Sequence, residues 1–261
     1  MATPPNVEVE ADVMAGQPDL HDRVTMMETS IVNSGDQALS VRSEMTGADA
    51  YGFKPQWRGR MHAGAFFITL PAGFFLLAAA HTTSARVAVA VYWASLAGLF
   101  GASASYHRLA RSVRSVTLLR KLDHSMIFML MAGTYTPICV LVLPRAWGIP
   151  ALVAVWVTAL AGVIMKMVRL SVGEGKSGSW LYAVLGWAAI ITMPKLIAEL
   201  DGLRLALLLG GGLLYTVGAI ILGKRRPNPM PAIFGYHEVW HVFTIVAGAL
   251  HFALVALVLP A

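Results

Sequence analysis

The apolar positions of this chain fall into long uninterrupted runs instead of the alternating or amphipathic patterns of a soluble domain. Seven such runs follow residue 60, each close to the roughly 20 residues that a helix needs to cross the hydrocarbon core of a bilayer. They lie at residues 61–80, 87–106, 124–143, 148–168, 180–198, 205–222 and 239–259. The pattern predicts an all-α, polytopic membrane protein, a seven-transmembrane-helix bundle within residues 56–261.

The composition supports the same class. Hydrophobic residues make up 57% of the chain and charged residues 13%, with a mean hydropathy of +0.64, whereas soluble domains carry roughly 25% charged residues. Lys166 and Lys195 lie near predicted helix ends, where a lysine can extend its amine to the interface. Membrane lipids are therefore the expected partners and nucleic acid is not, while the oligomeric state stays open.

Residues 1–55 have a different character. They carry nine acidic and three basic residues, with scattered Pro, Gly, Ser and Asn and no apolar periodicity. Such a segment cannot bury enough apolar surface to offset its ordering entropy. We therefore expect residues 1–55 to be a disordered acidic N-terminal tail, and its start lacks the basic and apolar regions of a secretory signal.

Basic residues are unevenly distributed between the two sets of alternate loops. The segments before helix 1, between helices 2 and 3, around the 4–5 connection and between helices 6 and 7 hold 14 Lys and Arg, whereas the other loops hold 4. This bias predicts a cytoplasmic N-terminus and an external C-terminus in the cell (plasma) membrane. The basic loops also suit anionic lipid headgroups.

Five of the eight histidines lie at the predicted cytoplasmic side, and four of them, apart from His62, belong to helices 2, 3 and 7. His107 ends helix 2, His124 begins helix 3 beside Asp123, and His237 and His241 begin helix 7. The last two are four residues apart and so share one helix face. Because an ionisable residue at membrane depth is costly, such a group indicates a functional site.

Three of these histidines form the ligand set of a zinc site if helices 2, 3 and 7 pack together. We predict His107, His237 and His241 as the ligands, because three histidines plus water is a common arrangement of catalytic zinc. Asp123 is predicted to orient or deprotonate the attacking water. Ser103, four residues before His107 on the same face, is predicted to support that water or an oxyanion.

The remaining membrane histidines receive other assignments. His62 and His124 are predicted to be structural residues or partners around the site. His251 is rotated by about 80° from His241 and displaced by about 15 Å along helix 7. It is therefore predicted to stay outside the metal site, where it lines a cavity or hydrogen-bonds across helices.

The stretch His237-Glu238-x-x-His241 also matches the H-E-x-x-H pattern of zinc proteases, in which the glutamate is the general base. Intramembrane proteases of this kind add a distant Leu-Asp-Gly, and residues 200–202 have that sequence. However, Asp201 belongs to a predicted external loop, about 30 Å from the pair, and the order of the two motifs is reversed. Glu238 is consequently left either as a neighbour of the metal or as a cap of helix 7.

Several segments together resemble the haemolysin III family. They are Ser-Ala-Ser-Tyr-His-Arg at 103–108, the segment 122–137 beginning Leu-Asp-His-Ser, His-Glu-Val-Trp-His-Val-Phe at 237–243, and Ala-Leu-His-Phe at 249–252. That family is similar to the adiponectin and progestin receptors and, more distantly, to alkaline ceramidases. The resemblance covers roughly residues 57–261.

The resemblance implies a seven-helix protein with its N-terminus inside and zinc near the cytoplasmic face. In the receptors, zinc is held by positions equivalent to His107, His237 and His241, with the equivalent of Asp123 at the bound water. Many bacterial members carry an acidic residue shortly before the helix-1 histidine, whereas Gln-Trp-Arg at 56–58 holds no carboxylate. This departure argues against a role for the entry to helix 1.

Three functions are compatible with these observations. The first is a zinc-dependent hydrolase of a lipid amide or ester, linked to membrane homeostasis, with ceramide-like amides as the family analogy. The second is a non-enzymatic membrane sensor or receptor-like regulator in which zinc is structural. The third is cytolysis by pore formation, which the family name implies, although the sequence offers no amphipathic pore-forming segment.

Overall fold

Seven long apolar helices make up the protein in a computed structural model, which describes residues 54–169 and 180–259 together with Thr25 and Arg42. We number the helices in chain order, α1 to α7: Arg60–Ala78, Thr83–Leu109, Val113–Val142, Arg145–Arg169, Trp180–Glu199, Gly202–Lys224 and Tyr236–Leu257. The described segments contain no strand. The predicted all-α, seven-helix membrane fold is confirmed, whereas the predicted disordered tail lies almost wholly outside the described residues.

Helix α3 begins eleven residues before the predicted boundary at residue 124. Ser112 caps the helix by accepting a hydrogen bond from the Ser115 backbone N–H, and the Ser115 hydroxyl reciprocates in a capping box. The first turns of α3 are polar, so a hydrophobicity count misses them. As a result, Asp123 and His124 lie in the third turn of α3 and not at its start.

The other end of α3 carries the irregularity that Pro137 predicts. Regular α-helix runs from Val113 to Pro137, and the last turn, Ile138–Val142, is a π-helix. Proline removes one backbone donor and disturbs the preceding turn. The wide π turn lies directly after Pro137, at the C-terminal end of the span.

Helix α5 is interrupted at Ala188 into Trp180–Trp187 and Ala189–Glu199. The backbone N–H of Ala189 donates to the hydroxyl of Tyr135 on α3 at 2.7 Å. An unsatisfied backbone donor in the membrane is expensive, so a side-chain acceptor from a neighbouring helix makes the interruption tolerable.

The helices pack mainly as sequence neighbours, α1 through α4 in succession and α6 with α7. Helix α7 also contacts α1, which closes the bundle on that side. A central apolar cluster joins α1, α2, α3 and α7 and includes Tyr92, Leu96, Phe100 and Val255. Helices α5 and α6 bury the smallest shares of their surface and leave apolar side chains such as Ile191 and Leu213 exposed to lipid.

Lys166 does not extend to the interface as expected. Its side chain is buried, and its amine lies over the ring of Tyr182 at 5.2 Å from the centroid. The tyrosine hydroxyl in turn donates to the backbone oxygen of His124 at 2.9 Å. The lysine is thus retained inside the bundle by an aromatic face on α5, which a hydrophobicity profile cannot reveal.

Candidate metal centre

Three histidines from two helices meet at one end of the bundle. His107 lies in the last turn of α2, His237 in the first turn of α7, and His241 one turn further along α7. One ring nitrogen from each can be chosen so that all three lie within 4.8 Å of one another. The predicted ligand triad therefore comes together, although the three residues span 135 positions of sequence.

The spacing of the nitrogens fits a metal ion. Two nitrogens bound to one tetrahedral zinc at about 2.0–2.1 Å are about 3.4 Å apart. His237 Nε2 lies 3.2 Å from His107 Nε2, close to that value. The donor set is compatible with zinc and leaves one position open.

Asp123 on α3 and Ser103 on α2, the two residues predicted to act on the water, lie next to each other. Ser103 lies beside Asp123, where its hydroxyl is placed to donate toward the carboxylate. Ser103 is buried, while the side chain of Asp123 keeps 18% of its surface exposed. A carboxylate held by a buried hydroxyl and still accessible is suited to proton transfer.

Glu238 lies between the two α7 histidines in sequence but is occupied elsewhere. One carboxylate oxygen, Oε2, accepts the Gly235 backbone N–H at 2.9 Å, which caps the start of α7. The other oxygen forms a buried ion pair with Nε of Arg58, and neither side chain exceeds 5% exposure. Glu238 is thus a structural residue here and not the general base of a protease.

The segment of residues 56–62, which we call the helix-1 entry, lies directly against this site. The backbone N–H groups of Gln56 and Trp57 donate to Ala232 and Ile233 at 3.2 Å each. Gly59 has a φ of +74°, and a Cβ there would stand 2.7 Å from the Cβ of His107. Glycine is therefore required both by the backbone conformation and by the close approach to α2.

His62, predicted as a structural residue or a partner around the site, lies directly against the triad. Its ring stacks on that of His241, with centroids 3.8 Å apart and an interplanar angle of 16°. It is also 5.1 Å from the ring of Phe100. The missing carboxylate in residues 56–58 argued against this segment, yet Arg58 and His62 both contact α7. The available signal was that His62 shares the predicted cytoplasmic side with the triad.

His124 and His251 lie outside the triad, in agreement with the prediction. The Nδ1 atom of His124 is 2.9 Å from the backbone oxygen of Arg120 and 4.0 Å from Oδ2 of Asp123. His251 reaches across to α6, where its Nε2 is 3.2 Å from the backbone oxygen of Leu208. Both rings have backbone partners that need no metal.

Asp201, the acidic residue of the protease alternative, lies at the far end of α6. It caps that helix and pairs with Arg204 at 3.0 Å. Helix α6 has 23 residues, or about 35 Å of length, and its other end leads to α7. Asp201 therefore cannot complete a site with His237 and His241.

The fold and the site thus define a seven-helix membrane protein with a histidine cluster at one end of the bundle. A family model described as Haemolysin-III related matches residues 52–252. The chain therefore belongs to the haemolysin III family, and with its seven apolar helices it is a multi-pass protein of the cell membrane.

Two curated relatives extend over most of the same region. Hemolysin-3 of Bacillus cereus is 35% identical over 197 residues, which cover 73% of this chain and 85% of the relative. Hemolysin-3 homolog of Bacillus subtilis (strain 168) is 33% identical over 195 residues, 73% of this chain and 87% of the relative. The similarity therefore extends over most of the length of each relative and is not confined to one motif.

Proposed function

We propose that this protein is a zinc-dependent hydrolase of a lipid amide or ester. The observation that carries the proposal is the convergence of three histidines, whose ring nitrogens lie within 4.8 Å of one another. Ser103 precedes His107 by four residues on α2, and Asp123 lies next to Ser103 on α3. The site lies within a lipid-exposed bundle, which suits a substrate that stays in the membrane. His107, His237 and His241 would hold the ion.

Zinc bound there would polarise the substrate carbonyl and favour attack by water. The carboxylate of Asp123 would accept a proton from the attacking water as the new C–O bond forms. It would then deliver that proton to the leaving amine or alkoxide as the C–N or C–O bond breaks. The hydroxyl of Ser103, by donating to the carboxylate, would hold it in position for both transfers.

The test combines metal content with turnover. We expect the purified protein to contain about one zinc ion per chain by elemental analysis and to release fatty acid from amide or ester lipids. Asp123→Asn should retain zinc and lose about 10²- to 10⁴-fold in rate, the usual contribution of a general acid–base group. His81→Ala, at an exposed histidine, is the matched control.

Two results would contradict this proposal. Zinc without turnover on any lipid of a broad amide and ester panel would overturn the hydrolase and favour a sensor or regulator with structural zinc. Absence of metal from the wild-type protein would end both zinc proposals.

Cytolysis is the second candidate, because both relatives are named for haemolysis. It predicts release of a trapped dye from liposomes, or lysis of erythrocytes, when purified protein is added. If lysis occurs and is unchanged by His107→Ala, the activity is independent of the histidine triad. If no lysis occurs at any protein concentration, this candidate is excluded.

A further inference from the structure

We propose that His62 binds the acyl oxygen of the ligand at the metal centre, donating a ring N–H hydrogen bond from the side of α1. The proposal rests on the proposed function for the existence of a metal centre, and it adds a fourth histidine with a different task. It also gives the helix-1 entry a part in binding the ligand.

The first observation is that the ring of His62 is buried without normal hydrogen-bond partners. The residue is 3% exposed, and neither ring nitrogen makes a hydrogen bond to any residue in the described parts of the chain. The backbone of His241 lies nearby but does not meet that geometry. Buried polar groups are nearly always paired, so such a ring points to a partner that comes and goes.

The second observation is the place of this ring beside the triad. His62 stacks on His241 at 3.8 Å, and His107 lies 5.3 Å from the same His241 ring. An ion held by His241 lies about 2 Å beyond the ring nitrogen, and a ligand oxygen bound to that ion lies about 2 Å from it. A substituent directed toward α1 would then come within the roughly 3 Å of an N–H···O hydrogen bond from His62.

The third observation is that the chain fixes His62 firmly. The Arg58–Glu238 ion pair ties the start of α1 to the start of α7, four residues before His62. Gly59, with its left-handed φ of +74°, brings the same segment against His107. His62 is thus held on one side of the centre by contacts that do not involve its own nitrogens.

The stacked geometry assigns His62 to the ligand and not to the ion. A ring parallel to that of His241, at 16°, presents its face to its neighbour, while its nitrogens lie in a separate plane. A metal ligand must direct a nitrogen lone pair, in the ring plane, at the ion. An acyl oxygen bound to the ion can lie out of the plane of the His241 ring and toward the plane of His62. A neutral imidazole always retains one N–H donor for such an oxygen.

A cobalt-substituted protein tests this without any need for turnover. The full chain, in detergent, is loaded with Co²⁺ and titrated with acetohydroxamate, which offers a carbonyl oxygen to the ion, while the visible cobalt spectrum is recorded. H62F should bind Co²⁺ as the wild type does but bind acetohydroxamate about tenfold more weakly, the effect of one lost hydrogen bond. H81F, at an exposed histidine, is the matched control and should match the wild type.

Each alternative result decides the matter. Equal hydroxamate affinity in H62F and wild type would overturn the proposal, since a ring with only a packing role would leave binding unchanged. Loss of Co²⁺ from H62F alone would also overturn it, because His62 would then be a metal ligand. Failure of the wild type to bind Co²⁺ would overturn the metal centre together with this proposal, whereas absence of lipid turnover would leave it intact.

A second pair of variants tests the proposal if H62F fails to fold. H62N retains an N–H donor, whereas H62A has none. Of the two, H62N should bind acetohydroxamate more tightly, and equal affinities would contradict the proposal.

Discussion

Helix α7 carries two buried histidines ten residues apart, and their surroundings differ in kind. His241 is surrounded by other imidazoles, with the rings of His62, His237 and His107 at 3.8, 4.6 and 5.3 Å. His251 instead meets a backbone oxygen on α6. A single backbone carbonyl is enough to accommodate one histidine in a membrane helix. A cluster of histidines is costly to desolvate, and it becomes reasonable when the rings share a ligand.

Each surrounding is built by different means. The His241 end is held by the buried Arg58–Glu238 ion pair and by Gly59. The His251 ring fits into a notch at Gly211, where any Cβ would clash with it. The His241 end depends on a buried ion pair, and the His251 end depends on close packing. Substitutions at the two ends should therefore have different effects on zinc affinity and stability.

The largest effect is expected from removing a triad member. His241→Ala should lower zinc affinity by more than 100-fold, because loss of even an outer partner of a metal ligand costs about 10–100-fold. His251→Ala, on the same helix, should leave affinity unchanged. Chelator competition measured with both proteins checks this, and equal losses would mean that the two histidines do not differ in function.

The ion pair at the His241 end gives the next largest effect. Arg58→Met should destabilise the protein by about 3–5 kcal/mol, because Glu238, fully buried, would lose the partner of its charge. Adding Glu238→Gln should recover much of that loss, since the amide keeps an acceptor for the Gly235 N–H. Denaturant unfolding in detergent measures both. A double variant as unstable as the single one would show that charge is not the cause.

The smallest effect is expected at the notch for His251. Gly211→Ala should cost about 1–3 kcal/mol, because the added methyl group enters space held by the imidazole ring. Gly212→Ala is the matched control, since a Cβ there meets no atom within 4 Å. That variant should be neutral or slightly stabilising in the same unfolding measurement. Similar losses at both positions would point to helix flexibility and not to the notch.

Much of the site was predictable because it depends on local features. His237 and His241 share a face through helical spacing alone, and the basic loops placed His107 and Asp123 at the same side of the membrane. The exposed basic residues of that side, which include Arg108, Arg111, Lys224 and Arg226, surround the same end of the bundle. Their binding of anionic headgroups and the direction of the termini stay predictions.

Other parts of the site depended on helix rotation and on distant partners. Arg58 and Glu238 are 180 residues apart, and no periodicity links them. The start of α3 at Val113 was missed because its cap and first turns are polar. The contact of His62 with His241 was missed because a helix that is apolar all round does not reveal which face meets its neighbour.

The sequence by itself determined the number of spans, the family and the set of histidines that share one end of the bundle. The spans and the histidine set follow from hydrophobic length, local spacing and charge, and the family follows from the resemblance of the motif segments. None of these requires knowledge of packing. Only the tertiary structure decided which nitrogens meet within 4.8 Å, that Glu238 pairs with Arg58, and that His62 lies on His241. Those outcomes depend on the rotation and depth of each helix, which are fixed by small-residue contacts between helices and not by hydrophobicity.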